Sequence, residues 1–361
     1  MKTKLYITDE GFGPLVRQSA VLKELALLIP SLKVLIQSQR HIEDAKRIIP
    51  GFEYHNKFNN ILWHKTERGT PDREKIEKYY NGYNQLSNEY IVKELEENNQ
   101  VDFIISDFVY EAFEIAKKMN IPSFGIAHFT WDWFFSQFYP PAINHEVIYK
   151  MMERANMADI LFFPPYTPKE IIQFYGKKVV EVPLIVRYHT PLTKELDKKK
   201  KHILFIDSGS GVNKIAMQTI ANQLHLLENY QFYLPEKLNI LAENITLISE
   251  SELLLDYISS MDLVVGRAGF NSISECIACR TPMLLFGETL NPEMRENKFF
   301  VKEDGLGSFT SLEKLVENTE KVLDDFFEGE YDIIKRNMLS HNYRTDGAKV
   351  IAEIIAERVC K

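Results

Sequence analysis

The sequence predicts an α/β protein built on two doubly wound parallel sheets. Three observations carry that expectation. Short apolar runs alternate with amphipathic stretches along the first half, the rhythm of βαβ units whose strands are buried on both faces. A polar, charged segment, "RYHTPLTKELDKKKKH" at 187–202, interrupts the rhythm, which then resumes. At 361 residues the chain is long for one core and comfortable for two domains of ordinary size.

In the first half, "KLYIT" (4–8), "KVLIQS" (33–38), "VDFIISD" (101–107), "SFGIAH" (123–128), "ILFFPP" (160–165) and "VVEVPLI" (179–185) read as strands. "RQSAVLKELALL" and "YEAFEIAKKMN" read as helices between them. The interruption reads as a linker over 191–201 between a first domain, 1–190, and a second, 202–345. The basic block at 198–201 reads as a solvated part of it. Then follow "HILFIDS" (202–208), "QFYLP" (231–235), "NITLIS" (244–249), "MDLVVG" (261–266) and "TPMLLFG" (281–287). The closing stretch, 346–361, is an amphipathic helix with Val350, Ile351, Ile354 and Ile355 on its apolar face. Asp346 stands where a cap would, Gly347 just inside, and the helix is expected to pack back on the first domain.

Composition narrows the function. The apolar fraction of 45% is that of a globular protein, and a net charge of −8 without a basic arm argues against nucleic acid as a partner. Three cysteines make no disulfide framework. Cys276 and Cys279 have C-x-x-C spacing but fall inside a helical pattern with no second Cys/His pair, so neither a metal site nor a cofactor is expected. A strand begins near the N-terminus without an apolar signal core, and no run reaches the roughly 18 apolar residues of a membrane span. The expected location is cytoplasmic. The aromatic-rich stretch at 138–152 leaves open a place along an acceptor or a peripheral contact with a membrane surface.

Ligands of open α/β sheets bind beyond the carboxyl ends of the strands. In the first half those ends carry Asp9, Glu10, Gly11 and Gly13, then Asp107, then His128. In the second half they carry Asp207 with Ser208, Gly209, Ser210 and Gly211, then 266–272, then 288–297. The strand "DLVV" runs into "GRAGFNS" and a helix. A helix N-terminus offers unpaired amides and a partial positive charge, which suit phosphate. Gly269 lets the backbone approach a ligand closely, Arg267 can add a charge, and Glu275 can accept hydrogen bonds from two ribose hydroxyls. The same residues also fit a plain βα turn capped by Asn271 or Ser272. The second small-residue mouth, "DSGSGVN" at 207–213, suits a diphosphate gripped from both sides.

"DLVVGRAGFNSISECIACRTPMLLFGETLNPEMRENKFFVKEDGLG" resembles the donor-binding region of GT-B glycosyltransferases, closest to the class of the peptidoglycan N-acetylglucosaminyltransferase. "SDFVYEAFEIAKKMNIPSFGIAHFTWDWFF", "EVPLIVR", "GFGPLVR" and "TDGAKVIAEII" are similar to the glycosyltransferase-like N-terminal domain of plant L-arabinokinases and related bacterial proteins. The resemblance implies two Rossmann-like domains with parallel sheets facing across a cleft. It implies an inverting glycosyltransferase that takes a nucleoside diphosphate sugar, UDP-linked by expectation, and a sugar or glycoconjugate acceptor. By that likeness Ser208, Gly209, Ser210 and Gly211, with Ala268, Gly269, Phe270, Asn271 and Ser272, hold the phosphates; Glu275 takes the ribose; Leu253 and its neighbours face the base; Glu293 and Asn297 approach the donor sugar. No metal is implied.

The chain departs from the pattern at Asn291 and Met294 in the "NPEMREN" loop and at Pro14, where the group has a histidine that can serve as base. An inverting transfer needs a base within hydrogen-bond reach of the acceptor. Asp9 and Glu10 come first as candidates, His128 and Asp132 second. Each also has a structural reading, as loop carboxylate, packed histidine or helix cap. Trp131 and Trp133 fit either an acceptor platform or the core. Hydrolysis of a nucleotide sugar, and non-catalytic binding of one, are the alternatives to transfer.

Overall fold

Each of the eleven apolar runs forms a strand in one of two wholly parallel sheets of this computed structural model. The structure describes residues 1–66, 71–97, 100–139, 141–187, 192, 196–206, 214–249, 254–287 and 290–360. The chain divides into two units: Met1–Thr66, Pro71–Arg187 and Thr345–Lys361 make the first, and the second lies within Tyr188–Arg344.

The first unit contains β1 (Lys2–Tyr6), β2 (Lys33–Ser38), β3 (Glu53–Asn56), β4 (Phe103–Ser106), β5 (Ser123–Ile126), β6 (Ile160–Phe163) and β7 (Val179–Glu181), in the order β3-β2-β1-β4-β5-β6-β7. The second contains β8 (Lys201–Ile206), β9 (Tyr230–Pro235), β10 (Ile245–Ile248), β11 (Leu263–Arg267), β12 (Met283–Phe286) and β13 (Gly307–Phe309), in the order β10-β9-β8-β11-β12-β13. The edge strand β3 and the three-residue β13 were not expected. Both are edge strands, and "EYHN" and "GSF" carry no apolar run.

Side chains of the first sheet alternate between two cores, as the period of two requires. Leu5, Ile7, Ile105 and Phe162 face the helices Gly13–Leu28 and Gly347–Val359. Tyr6 and Ile104 face a cluster that includes Ala112, Ile115 and Ala116, while Leu161 and Phe163 join an aromatic cluster with Phe134 and Phe135. The closing helix packs on Gly13–Leu28 within the first unit. Its start is not fixed as expected. Asp346 occupies the N-cap position without a side-chain cap hydrogen bond, and instead bridges Ile185 in antiparallel register. A Cβ on Gly347 would lie 2.1 Å from the Pro183 carbonyl oxygen, so close approach of two backbones requires the glycine.

Both sheets share one topological device. Strand order reverses between β1 and β4 in the first unit and between β8 and β11 in the second. Such switch points, at the carboxyl ends of the strands, are where open α/β sheets hold ligands.

Candidate functional site

At the switch point of the second unit, β11 ends at Gly266 and Arg267, the Ala268 amide donates to Phe286 O, and the helix Phe270–Cys279 follows. The cap expected from Asn271 or Ser272 is supplied by neither. Gly269 is the N-cap and, lacking a side chain, makes no cap hydrogen bond of its own. Gly269 has φ −80° and ψ 137°, which any residue adopts. A Cβ there would meet nothing within 4 Å. The backbone therefore gives no reason for glycine; its lack of a side chain keeps the space before the first-turn amides open. Arg267, Phe270 and Glu275 are buried, and Asn271 and Ser272 half-buried. The Arg267 guanidinium lies against the Met294 sulfur at 3.5 Å. Cys276 and Cys279 are free thiols in this helix. Burial raises both, Cys279 to about 12, so neither is poised as a thiolate.

The helix Pro292–Glu303 closes one side of this mouth. Asn291 caps it by accepting from the Met294 amide at 3.1 Å, so the residue that departs from the related loops has a local task. Glu293 is half-buried in its first turn. Asn297 is buried and donates Nδ2 to Ala268 O at 2.9 Å, which fastens the helix to the end of β11. The next residue, Lys298, donates Nζ to Gly287 O at 3.1 Å, just beyond β12. Among the described residues no carboxylate pairs with it, and burial lowers its pKa. Sequence reasoning missed Lys298, since a helical lysine is ordinarily a solvated one. Ser208, Gly209, Ser210, Gly211 and Leu253 lie outside the described residues. No group of three or more His, Cys, Asp or Glu that could hold a metal ion occurs among the described residues.

The switch point of the first unit is built from side chains. Asp9, just beyond β1, is buried and accepts four hydrogen bonds: from Ser38 Oγ at 2.7 Å, the Gln39 and Arg40 amides at 2.8 Å each, and the Asn59 amide at 3.1 Å. Three of these bonds fall on Oδ1 and one on Oδ2, and together they hold three loops. Glu10 is only half-buried and accepts from the Trp63 amide at 2.8 Å. Burial raises its pKa above the ordinary 4.5, while that bond, Lys65 and Arg40 pull it down. Gly11 forms the turn, and Gly13 opens the next helix with Pro14 in its first turn, where a missing amide hydrogen costs nothing.

Beyond β4, Asp107 is buried under a fork from Arg17. Nη2 reaches both oxygens at 2.9 Å, Nε reaches Oδ2 at 3.1 Å, and Gln18 Nε2 adds a bond at 2.8 Å. The Arg17 Nη1 group stands 3.1 Å from His128 Nδ1. Arginine can only donate, so Nδ1 accepts and the proton of the neutral ring sits on Nε2. In that tautomer the Nε2 of His128 is a donor. Asp132 is buried; its Oδ1 accepts from Tyr110 Oη at 2.5 Å, and desolvation raises its pKa. It does not cap its helix, whose N-cap position is Thr130. Trp131 and Trp133 are buried against Phe129 at 5.2 and 6.3 Å, as core rather than an open platform. The structure thus gathers Asp9, Glu10, Asp107 and His128 along adjacent strand ends and sets Asp132 apart. It adds Arg17, Gln18 and Trp63, which sequence reasoning left out. Arg17 was legible only as a charge on a helix otherwise buried from Leu15 to Leu22.

Residues 193–353 match the glycosyltransferase family 28 C-terminal domain. An L-arabinokinase of Arabidopsis thaliana is 22% identical over 77% of this chain and 27% of its own length, so the chain spans about a quarter of that relative. An uncharacterized glycosyltransferase of Methanosarcina mazei is 23% identical over 72% of this chain and 74% of its own. The glycotransferase of kitacinnamycin has a similar structure, with a TM-score of 0.69 at 14% identity, covering 99% of this chain and 98% of that one. So does the Streptomyces sp. SF2575 glycosyltransferase SsfS6 complexed with thymidine diphosphate, with a TM-score of 0.63 at 12% identity over 99% of each. At these identities the structural likeness is one of fold.

Proposed function

We propose that this chain, a glycosyltransferase of the GT-B class, moves a sugar from a nucleoside diphosphate sugar to a hydroxyl acceptor with inversion. The second unit holds the donor and the first the acceptor. One observation carries the donor assignment: the helix Phe270–Cys279 starts at a switch point behind an N-cap glycine that its own conformation does not require. The amides and helix dipole receive the diphosphate, Lys298 and Arg267 add positive charge, and Glu275 takes the ribose hydroxyls. The thymidine diphosphate bound by SsfS6 supports a ligand of this kind.

Glu10 is the base. Asp9 and Asp107 each accept four hydrogen bonds from the surrounding fold, His128 presents a proton, and Asp132 is sealed in the core. Glu10 keeps accepting capacity beside one backbone bond, and its raised pKa brings its basicity toward neutrality. In the transfer, the acceptor oxygen forms a bond to the anomeric carbon as Glu10 takes its proton. The bond from that carbon to the diphosphate oxygen breaks, and the nucleoside diphosphate leaves with the electron pair, stabilised by the helix amides.

Calorimetric titration with UDP, TDP, GDP, ADP and CDP tests the donor assignment, with binding of at least one expected. Binding of none would sink it. Release of free sugar at full rate without an acceptor would replace transfer by hydrolysis.

A further inference from the structure

The segment from Lys57 to His64 runs past the strand ends of the first sheet without forming a strand itself. Backbone groups outside a ladder still need partners, and side chains supply them here. Asn59 Nδ2 donates to Ile7 O at 2.7 Å and to Gln37 O at 2.9 Å. Tyr79 Oη donates to Asn60 O at 3.3 Å. Tyr80, the last residue of the helix Arg73–Tyr80, serves both backbone groups of one residue. The Leu62 amide donates to its phenol oxygen at 3.1 Å, and the phenol donates to Leu62 O at 3.0 Å.

The next backbone donor is the Trp63 amide, which reaches Glu10 Oε1 at 2.8 Å. Leu62 C=O and Trp63 N–H belong to the same planar peptide unit, and in a trans peptide they point to opposite sides. Tyr80 therefore binds one end of a dipole whose other end faces Glu10. A donor on the carbonyl draws electron density to the oxygen and leaves the amide hydrogen more positive. Bonds linked in this way strengthen one another by about 10–30%. The clasp also fixes the plane of the peptide, and with it the direction of the N–H.

The ring around that hydroxyl is packed. Tyr80 is 1% exposed, with Phe135 at 4.9 Å, Tyr79 at 5.0 Å and Tyr83 at 5.3 Å between ring centres. A phenylalanine would fill the same space, so packing does not account for the oxygen. Burial raises the phenol's pKa, and Tyr79, Glu10 and Glu111 add to it, so Tyr80 stays a neutral donor. The other charged groups acting on Glu10 are Lys65, Arg40 and Asp9.

We infer that Tyr80 is a positioning residue for Glu10, which it serves through the Leu62–Trp63 peptide by aiming and polarising the amide that the carboxylate accepts. A stronger donor favours the ionised carboxyl, so Glu10 titrates lower with the phenol in place than without it. The consequence for transfer rests on the reading of Glu10 as base; the tie between Tyr80 and Glu10 does not.

Carboxyl ¹³C NMR on the full chain, with side-chain-labelled glutamate and Glu10 assigned by the resonance lost in E10Q, reads that titration. In Y80F the Glu10 midpoint should rise by about 0.5 pH unit. 3-Fluorotyrosine at position 80 keeps the clasp and donates more strongly, and should lower the midpoint. Y79F is the control. It removes the bond to Asn60 O, next to Tyr80 on the same helix, but touches another peptide, and should leave Glu10 unmoved. A midpoint unchanged in Y80F, or an equal rise in Y79F, would overturn the inference. Should Y80F fail to fold, the fluorotyrosine protein decides it: an unmoved or raised midpoint would overturn it equally. The acid limb of kcat/KM on the same samples should follow the NMR midpoint. A shifted carboxyl with an unshifted rate profile would leave the tie standing and remove Glu10 as base.

Discussion

The two switch points solve the same topological problem with different materials. In the first unit the strand ends are filled by ionic and polar side chains, Asp9, Glu10, Arg17, Asp107 and His128, each buried or half-buried and tied by hydrogen bonds. In the second, β11 ends in Gly266 and Arg267, Ala268 and Gly269 follow, and the next helix has a glycine at its N-cap. A proton acceptor needs a side chain with a set pKa, whereas a diphosphate is held best by backbone amides and a helix dipole. Under the proposed transfer, the contrast is that between a place where a proton is moved and a place where charge is received.

Four substitutions break or sharpen that contrast. The largest effect belongs to Glu10→Gln, which should lower kcat by about 10²–10⁴-fold with UDP affinity unchanged, measured by initial rates and calorimetry. The parent's kcat/KM should fall as pH drops through a value above the ordinary glutamate range, because the base must be ionised. The same residue sets a stability trend. Burial favours its protonated form in the fold, so the stability this brings is present below the ordinary range and lost as pH rises through the raised value. At neutral pH Glu10→Gln should therefore melt higher than the parent.

Asp9→Ala is the control beside it. It strips four donors of their acceptor and should cost roughly 3–5 kcal/mol of stability, read from denaturant unfolding. A Glu10-like loss of rate at full stability would instead return the role of base to Asp9.

Gly269→Ser comes next. Serine is a better helix cap than glycine by a few tenths of a kcal/mol, so Tm should hold or rise while UDP affinity falls about 10-fold, because the hydroxyl takes the amides and the open space. Lys298→Met should have the smallest effect, about 5-fold weaker UDP binding. Its half-buried ammonium has a lowered pKa, so the charged form is disfavoured in the fold and stability improves as pH rises through that value. At neutral pH methionine should leave Tm equal or higher. Weaker binding together with lower Tm in both variants would make these residues part of the scaffold only.

Much of the fold was legible in the residues because buried parallel strands are continuous apolar runs, and eleven of the thirteen show one. The two that do not are the polar edge strand β3 and the short β13. Gly269 was legible as a small residue at a strand mouth. Other parts of the site were not, because long-range partners decide them. Arg17 meets Asp107 across 90 positions, and the His128 tautomer depends on Arg17 across 111. Trp63 reaches Glu10 through its backbone amide, which carries no mark of residue type. Asp9 and Glu10 are neighbours of like charge in the chain, and only their hydrogen-bond partners separate the scaffold residue from the proposed base.

The account rests on the backbone amides of the second unit receiving a diphosphate, and an NMR titration of ¹⁵N-labelled protein with UDP tests that directly. The largest amide shifts should fall on Ala268, Gly269, Phe270, Asn271 and Ser272, and Gly269→Ser should diminish them. Saturable UDP binding that leaves these five amides unmoved, with shifts centred on the strand ends of the first unit, would contradict it.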